Sequence, residues 1–173
     1  MARESSVTVS RESTEGFNAL YERLQPSLWR YVNRLVGDAD VADDVVQESF
    51  VRLLSRPDLT GDAARLWLFT VAMNLVRDRG RTATRRARLL AAVPATQEVE
   101  PGPAEAVERD EQVRAVRAAL QKLPERDRQL LLMREEGFRY QEIAEAVGVA
   151  PGSVGTLIAR AVRRFTEHYR TTE

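Results

Sequence analysis

Residues 138–165 read FRYQEIAEAVGVAPGSVGTLIARAVRRF. Tyr140 to Val147 is short, and its apolar residues Ile143, Ala144 and Val147 share one helical face. Gly148 follows and can take the positive φ that ends a helix. Val149 and Ala150 make a turn, and Pro151 suits the first position of a new helix, where its missing N–H costs nothing. Val154, Leu157, Ile158, Ala161 and Phe165 recur at three-and-four spacing and predict the buried side of that second helix. Small Ala144 allows a close crossing, and Val154 is placed to fill the gap. This is the pattern of a helix-turn-helix, a motif whose second helix can enter the DNA major groove.

The face opposite that core holds Gly155, Thr156, Ala159, Arg160 and Arg163. Small residues let the backbone approach DNA. Thr156 and Ala159 can touch a thymine methyl, and an arginine can bind guanine bidentately. Arg164 and Arg170 are placed for phosphates. An amphipathic helix with a merely solvated arginine face would show a similar pattern.

Leu123–Pro124–Glu125–Arg126–Asp127–Arg128, then Gly137–Phe138–Arg139–Tyr140–Gln141–Glu142–Ile143–Ala144, then Gly152–Ser153–Val154, resembles the C-terminal DNA-binding domain of sigma-70 family factors. The extracytoplasmic-function group is the most similar. The resemblance implies that this domain reads a promoter −35 element as duplex. It places Ser153, Gly155 and Thr156 at that surface and matches Arg160 to a DNA-contacting arginine. Gly155 and Leu157 depart from the family, which often has Lys or Arg there.

The chain has 173 residues, enough for one domain or two small ones. Hydrophobic residues are 43% and charged residues 30%, ordinary for a helical globular protein. The 26 basic and 26 acidic residues cancel, so no global basic signal exists and charge is segregated along the chain instead. Cysteine is absent and His168 is the sole histidine, which argues against disulfides, thiolate metal sites and zinc. No cofactor or metal is expected. No apolar run approaches membrane length and no signal-peptide pattern opens the chain, so the cytoplasm is the simplest compartment and no membrane insertion is expected.

Residues 1–12 are polar, without a core pattern, and read as a tail. A helix is expected from about Ser13, with Phe17, Leu20, Tyr21, Leu24, Leu28, Tyr31, Val32 and Leu35 on one face. Pro26 either kinks it or starts a second helix. After the Gly37–Asp38–Ala39–Asp40 turn, Asp40 can cap a helix over Val41 to Leu54 that buries Ala42, Val45, Val46, Phe50 and Leu53. Its other side shows Asp43, Asp44, Gln47, Glu48 and Arg52, a face suited to solvent or a basic partner. Ser55 to Asp62 has loop chemistry.

A third helix is expected from about Ala63 through Trp67, Phe69, Val71 and Leu75. Six arginines fall within residues 77–88: Arg77, Arg79, Arg81, Arg85, Arg86 and Arg88. Basic charge beside aromatic rings suits a separated DNA strand, through phosphate neutralisation and base stacking. An arginine-rich helix end favoured by the helix dipole is the plainer reading. Trp67 suits a core position as well as a stacking one.

Residues from about Phe17 to Arg88 also resemble the sigma-70 family. Asp44–Val45–Val46–Gln47–Glu48–Ser49–Phe50 is similar to the segment that binds the clamp helices of the largest RNA polymerase subunit. The resemblance thus implies Asp44, Gln47 and Glu48 as core-polymerase contacts. Trp67–Leu68–Phe69 and Asn74 look like the helix that reads the −10 element, and the basic run adds Arg77, Arg81 and Arg85. Ser55 to Asp62 falls where the family's loop captures a flipped base. Thr70 stands where a basic residue is common.

Residues 91–109, AAVPATQEVEPGPAEAVER, hold three prolines and four glutamates and read as a flexible acidic linker. Beyond it a helix is expected to bury Val113, Val116, Leu120 and Leu123, and the next to carry apolar Leu130, Leu131 and Met133.

The expected architecture is all-α: a helical bundle over 13–90, the linker, and a helix-turn-helix domain over 110–173. No nucleophile elbow, phosphate loop or metal-ligand spacing points to an enzyme. The resemblance implies an alternative sigma factor, with core RNA polymerase and promoter DNA as partners. In the family an anti-sigma factor is a further partner class, and nothing in the sequence marks its surface. The rival reading is a helix-turn-helix repressor or activator that acts without joining the polymerase.

Overall fold

The computed structural model describes residues 4–90 and 104–171, with side chains over 16–80 and 111–171. Among these residues every regular element is helical. Seven α-helices are described: α1 Glu4–Val36, α2 Ala39–Leu53, α3 Gly61–Leu90, α4 Ala104–Lys122, α5 Glu125–Glu135, α6 Tyr140–Val147 and α7 Val154–Arg170. A single 3-10 turn, Pro151–Ser153, leads into α7. The contacts divide the chain into two units, Met1–Val76 and Arg77–Glu173. The division falls inside α3, where Leu75 is the last buried position among the described side chains and Asp78, Arg79 and Gly80 are exposed.

In the first unit α1 runs through Pro26 as one helix, so the proline neither ends it nor begins a second. Pro26 and Glu22 are both exposed, so water can satisfy the carbonyl that the missing proline N–H leaves. The helix also starts earlier than the core pattern, at Glu4, and no glycine or proline interrupts residues 4–15. It ends at Gly37, whose φ of 78° is left-handed and whose N–H donates to Asn33 O at 2.8 Å.

Asp38, not Asp40, caps α2. Its backbone is extended, with φ −134°, and its Oδ1 accepts the Val41 N–H at 3.1 Å. Asp40 sits one step inside, in the first turn, where its charge opposes the positive end of the helix. The core of this unit comes from all three helices. Leu24, Leu28, Tyr31, Val32 and Leu35 of α1 are buried with Ala42, Val45, Val46, Phe50 and Leu53 of α2. Helix α3 adds Ala64, Leu68, Phe69, Ala72, Met73 and Leu75. The Phe50 ring meets Tyr21 at 4.7 Å and Phe17 edge-on at 6.2 Å, while Tyr31 meets Phe69 at 4.9 Å.

In the second unit α5, α6 and α7 enclose Leu130, Leu132, Met133, Phe138, Ile143, Ala144, Val154 and Ala161. Gly137 and Gly148 end α5 and α6 with φ of 84° and 71°. The Glu142 carboxylate reaches back to accept the Arg139 N–H at 2.6 Å, which fixes the start of α6.

Three core assignments differ from the sequence pattern. Val113 and Val116 of α4 are exposed, and among its described side chains Ala119 and Leu120 are the buried ones. Leu132 rather than Leu131 fills the core from α5. Leu157, Ile158 and Phe165 are half-buried, because α7 lies at the surface of a small unit and only Val154 and Ala161 are fully covered. Helix α4 begins at Ala104, directly after Pro101–Gly102–Pro103, so its first residues come from the stretch that reads as linker.

Candidate nucleic-acid and partner interfaces

Helix α2 turns its acidic side outward because its apolar side is used up in the core. Asp44 and Gln47 are exposed, and Glu48 is half-exposed with its Oε1 accepting Arg52 Nε at 2.8 Å. Asp43 Oδ1 accepts the Trp29 indole N–H at 2.7 Å, which ties α2 to α1 beside this face. The stripe does not stop at Glu48. Val51 and Leu54 continue it at three- and four-residue steps and are 53% and 60% exposed. Two large apolar side chains in register with a polar stripe are a feature of contact surfaces. The signal for them is present in the sequence, as the continued i+3/i+4 spacing from Gln47.

Helix α3 carries the second candidate set. Leu68 and Phe69 are fully buried, Trp67 is half-buried, and Asn74 is exposed. Arg77 follows one turn after Asn74, half-exposed. The helix continues through Gly80 to Leu90, so Arg81 and Arg85 lie on its backbone, with side chains outside the described residues. Thr70 turns inward on its own helix, its Oγ1 donating to Leu66 O at 2.8 Å.

The loop before α3 ends at Thr60, two residues short of the expected Asp62, because α3 begins at Gly61, and its Arg56 reaches that helix. Arg56 forks onto Asp58, with Nε–Oδ1 at 3.0 Å and Nη2–Oδ2 at 2.9 Å, and its guanidinium lies 5.8 Å from the Trp67 ring centre. That hydrogen bond raises the Arg56 pKa and holds the Asp58 carboxyl below the usual carboxylate range. Beside the loop is a pocket of about 490 Å³, walled by Phe17, Leu20, Leu53, Pro57, Leu59 and Thr60.

The third set lies on α7 and the turn before it. Ser153, Thr156, Ala159 and Arg163 are exposed. Gly155 is half-buried beneath Tyr140: a Cβ at 155 would stand 3.5 Å from Tyr140 Cε2. Tyr140 in turn carries the Arg134 guanidinium over its ring at 5.5 Å. Where the family often has a long basic side chain at 155, this chain has a tyrosine ring backed by an arginine. The helical wheel did not show it, since Tyr140 comes from α6.

Arg160 and Arg164 share a partner that spacing within α7 could not reveal. Asp127, in the first turn of α5, is buried. Arg164 Nη1 donates to its Oδ2 at 2.5 Å, and Arg160 Nη2 stands 3.9 Å from its Oδ1. The candidate phosphate contact Arg164 therefore also neutralises a buried carboxylate. Arg163 has no ion pair among the described residues.

Comparison with known proteins gives two family matches along the chain. Sigma-70 region 2 matches residues 20–86, and Sigma-70, region 4 matches residues 113–165. ECF RNA polymerase sigma factor SigL of Mycobacterium tuberculosis (strain ATCC 25618 / H37Rv) is 36% identical over 176 residues, 94% of this chain and 93% of that protein. The chain belongs to the sigma-70 family, in its ECF group. Another relative, EcfG of Rhodopseudomonas palustris (strain TIE-1), is 36% identical over 140 residues, covering 79% of this chain and 75% of that sigma factor. The fold is shared with the sigma factor RpoE solved with the anti-sigma factor NepR from Bartonella quintana, at a TM-score of 0.71 and 22% identity over 89% of this chain and 96% of that one. CnrH, solved with the cytosolic domain of CnrY, gives a TM-score of 0.64 at 22% identity over 96% and 97%.

The two adjacent arginines of this sigma factor differ in what they hold. Arg164→Ala leaves the buried Asp127 with only the distant Arg160, and is expected to lower unfolding stability by about 1–3 kcal/mol. Arg163→Ala is expected to stay within about 0.5 kcal/mol of the parent. Denaturant unfolding of the two variants measures both, and equal losses would contradict the pairing.

Proposed function

We propose that the sigma factor divides its work among three surfaces. The outer stripe of α2, Asp44, Gln47 and Glu48 continued by Val51 and Leu54, docks on core RNA polymerase. Helix α7, with Ser153, Gly155, Thr156, Ala159, Arg160, Arg163 and Arg164, meets the −35 element as duplex. Helix α3, through Trp67, Asn74, Arg77, Arg81 and Arg85, holds the −10 element as single strand. The observation that carries this reading is α3 itself, a helix whose first half is core and whose second half is basic.

The physics of each step is ordinary. Arginines on the outer half of α3 neutralise phosphates and release counterions. Unstacking a base costs a few kcal/mol, which stacking on an aromatic ring, about 1–3 kcal/mol per base, offsets. Recognition of duplex by α7 and of single strand by α3 couples promoter choice to strand opening. The polymerase performs the chemistry, and the chain supplies address and melting, acting in the cytoplasm where the polymerase works. A helix-turn-helix regulator working without polymerase has no use for the first unit, which matches region 2.

Run-off transcription with core polymerase tests the whole reading, since only a sigma factor makes initiation promoter-specific. Docking is tested by Glu48→Lys and Val51→Glu. Each side chain is outward-facing, so helicity is expected to hold while affinity for core falls about tenfold, or about 1.4 kcal/mol. Assembly at parental affinity in both variants would remove α2 from the interface.

Readout at −35 is tested by Arg160→Ala against a library of randomised −35 elements. A bidentate arginine–guanine contact discriminates by about 1–3 kcal/mol, so preference at one base pair is expected to relax. An unchanged preferred sequence would shift specificity to Thr156, Ala159 or DNA shape.

A further inference from the structure

Asp127 is the least expected residue in the second unit: a carboxylate only 1% exposed. A buried charge is costly unless it is paired and hydrogen-bonded. Three features compensate this one. It lies in the first turn of α5, where the helix dipole favours an anion. Arg164 gives it a short charge-assisted hydrogen bond at 2.5 Å. Arg160 stands beyond hydrogen-bond reach at 3.9 Å and interacts with it by charge alone.

The two arginines are thus unequal. Arg164 is the near partner and carries the pairing. Arg160 is held more loosely, with its Nε buried and without a hydrogen-bond partner among the described residues. Its side chain is nevertheless 39% exposed. Its stem is fixed inside the unit while part of its guanidinium is presented outward. A guanidinium has five donors in a planar fork, so an edge remains for a base after the tether to Asp127. An arginine already confined to that orientation loses less side-chain freedom when it binds, and preorganisation of this kind sharpens recognition.

We infer that Asp127 is a positioning residue for −35 readout: its buried carboxylate, anchored by Arg164, holds Arg160 in the orientation from which it reads a base. This rests on the assignment of Arg160 to a −35 base pair. Asp127 itself touches no DNA. Its contribution is to aim a side chain on another helix, 33 residues further along the chain.

The test uses the full chain assembled with core polymerase and a library of randomised −35 elements. Arg160→Ala, Asp127→Asn and the double variant are compared, with thermal unfolding run alongside. Asp127→Asn is expected to reduce discrimination by about three- to tenfold at the same base pair that Arg160→Ala relaxes. In the Arg160→Ala background it is expected to add nothing at that position. Asp127→Leu, which leaves no buried polar group at 127, guards against loss of folding and is expected to relax the same base pair. Lowered stability with the parental preference in both Asp127 variants would overturn the inference and leave Asp127 a packing residue. If Arg160→Ala alone leaves the preference unchanged, the base assignment fails first, and the inference fails with it.

Discussion

The rings of Tyr31 and Phe69 meet at 4.9 Å in the core of the first unit, and both side chains are fully buried. That contact sets the rotation of α3 about its axis against α1. A helix turns 100° per residue, so one fixed angle assigns every other position. Ala64, Leu68, Ala72, Met73 and Leu75 are carried inward, and Asn74 outward. The helix then continues without a break through Gly80 to Leu90, and four of residues 81–90 are arginine. Within the first unit, packing therefore decides which side of α3 faces outward. The outward placement of Asn74 is therefore a property of the apolar core.

The second unit applies the same principle at shorter range. Ala144 and Val154, both buried, set the crossing of α6 and α7, and Gly148 in the left-handed region turns the chain between them. Only Val154 and Ala161 of α7 are fully enclosed, which leaves most of that helix free to meet a groove. The shallow burial also explains why an ion pair is used here. Asp127 and Arg164 tie α5 to α7 where α7 has little apolar surface to spare. Tyr140 adds a further tie by lying against Gly155.

Local signals were the most legible in the sequence. Gly148 as a helix end, Val154 as the plug and the apolar stripe of α2 all depend on residues a few positions apart, and periodicity reports such relations directly. Relations across the chain were hidden. Asp127 and Arg164 are 37 residues apart, so a wheel drawn on α7 could assign Arg164 only to phosphate. Val113 and Val116 match a core period yet are exposed, because periodicity shows that a face is apolar and not whether another helix covers it. The sequence pattern puts the α2 cap at Asp40, and the extended backbone at residue 38, which only the structure shows, puts it at Asp38. Val51 and Leu54 are not legible as contact residues in the sequence, because apolar residues on an otherwise acidic face look like incidental exposure until the surface is seen whole.

The central claim is that α3 couples a packed core to strand opening, and initiation on two templates tests it most directly. Asn74 and Arg77 are replaced together by Ala in the full chain, and run-off transcription with core polymerase is measured on duplex promoters and on promoters already melted at −10. The account predicts a loss of about tenfold or more on duplex, equivalent to about 1.4 kcal/mol in the opening step, and a much smaller loss on the melted template. Equal losses on both templates would contradict it and assign these residues to folding or docking instead.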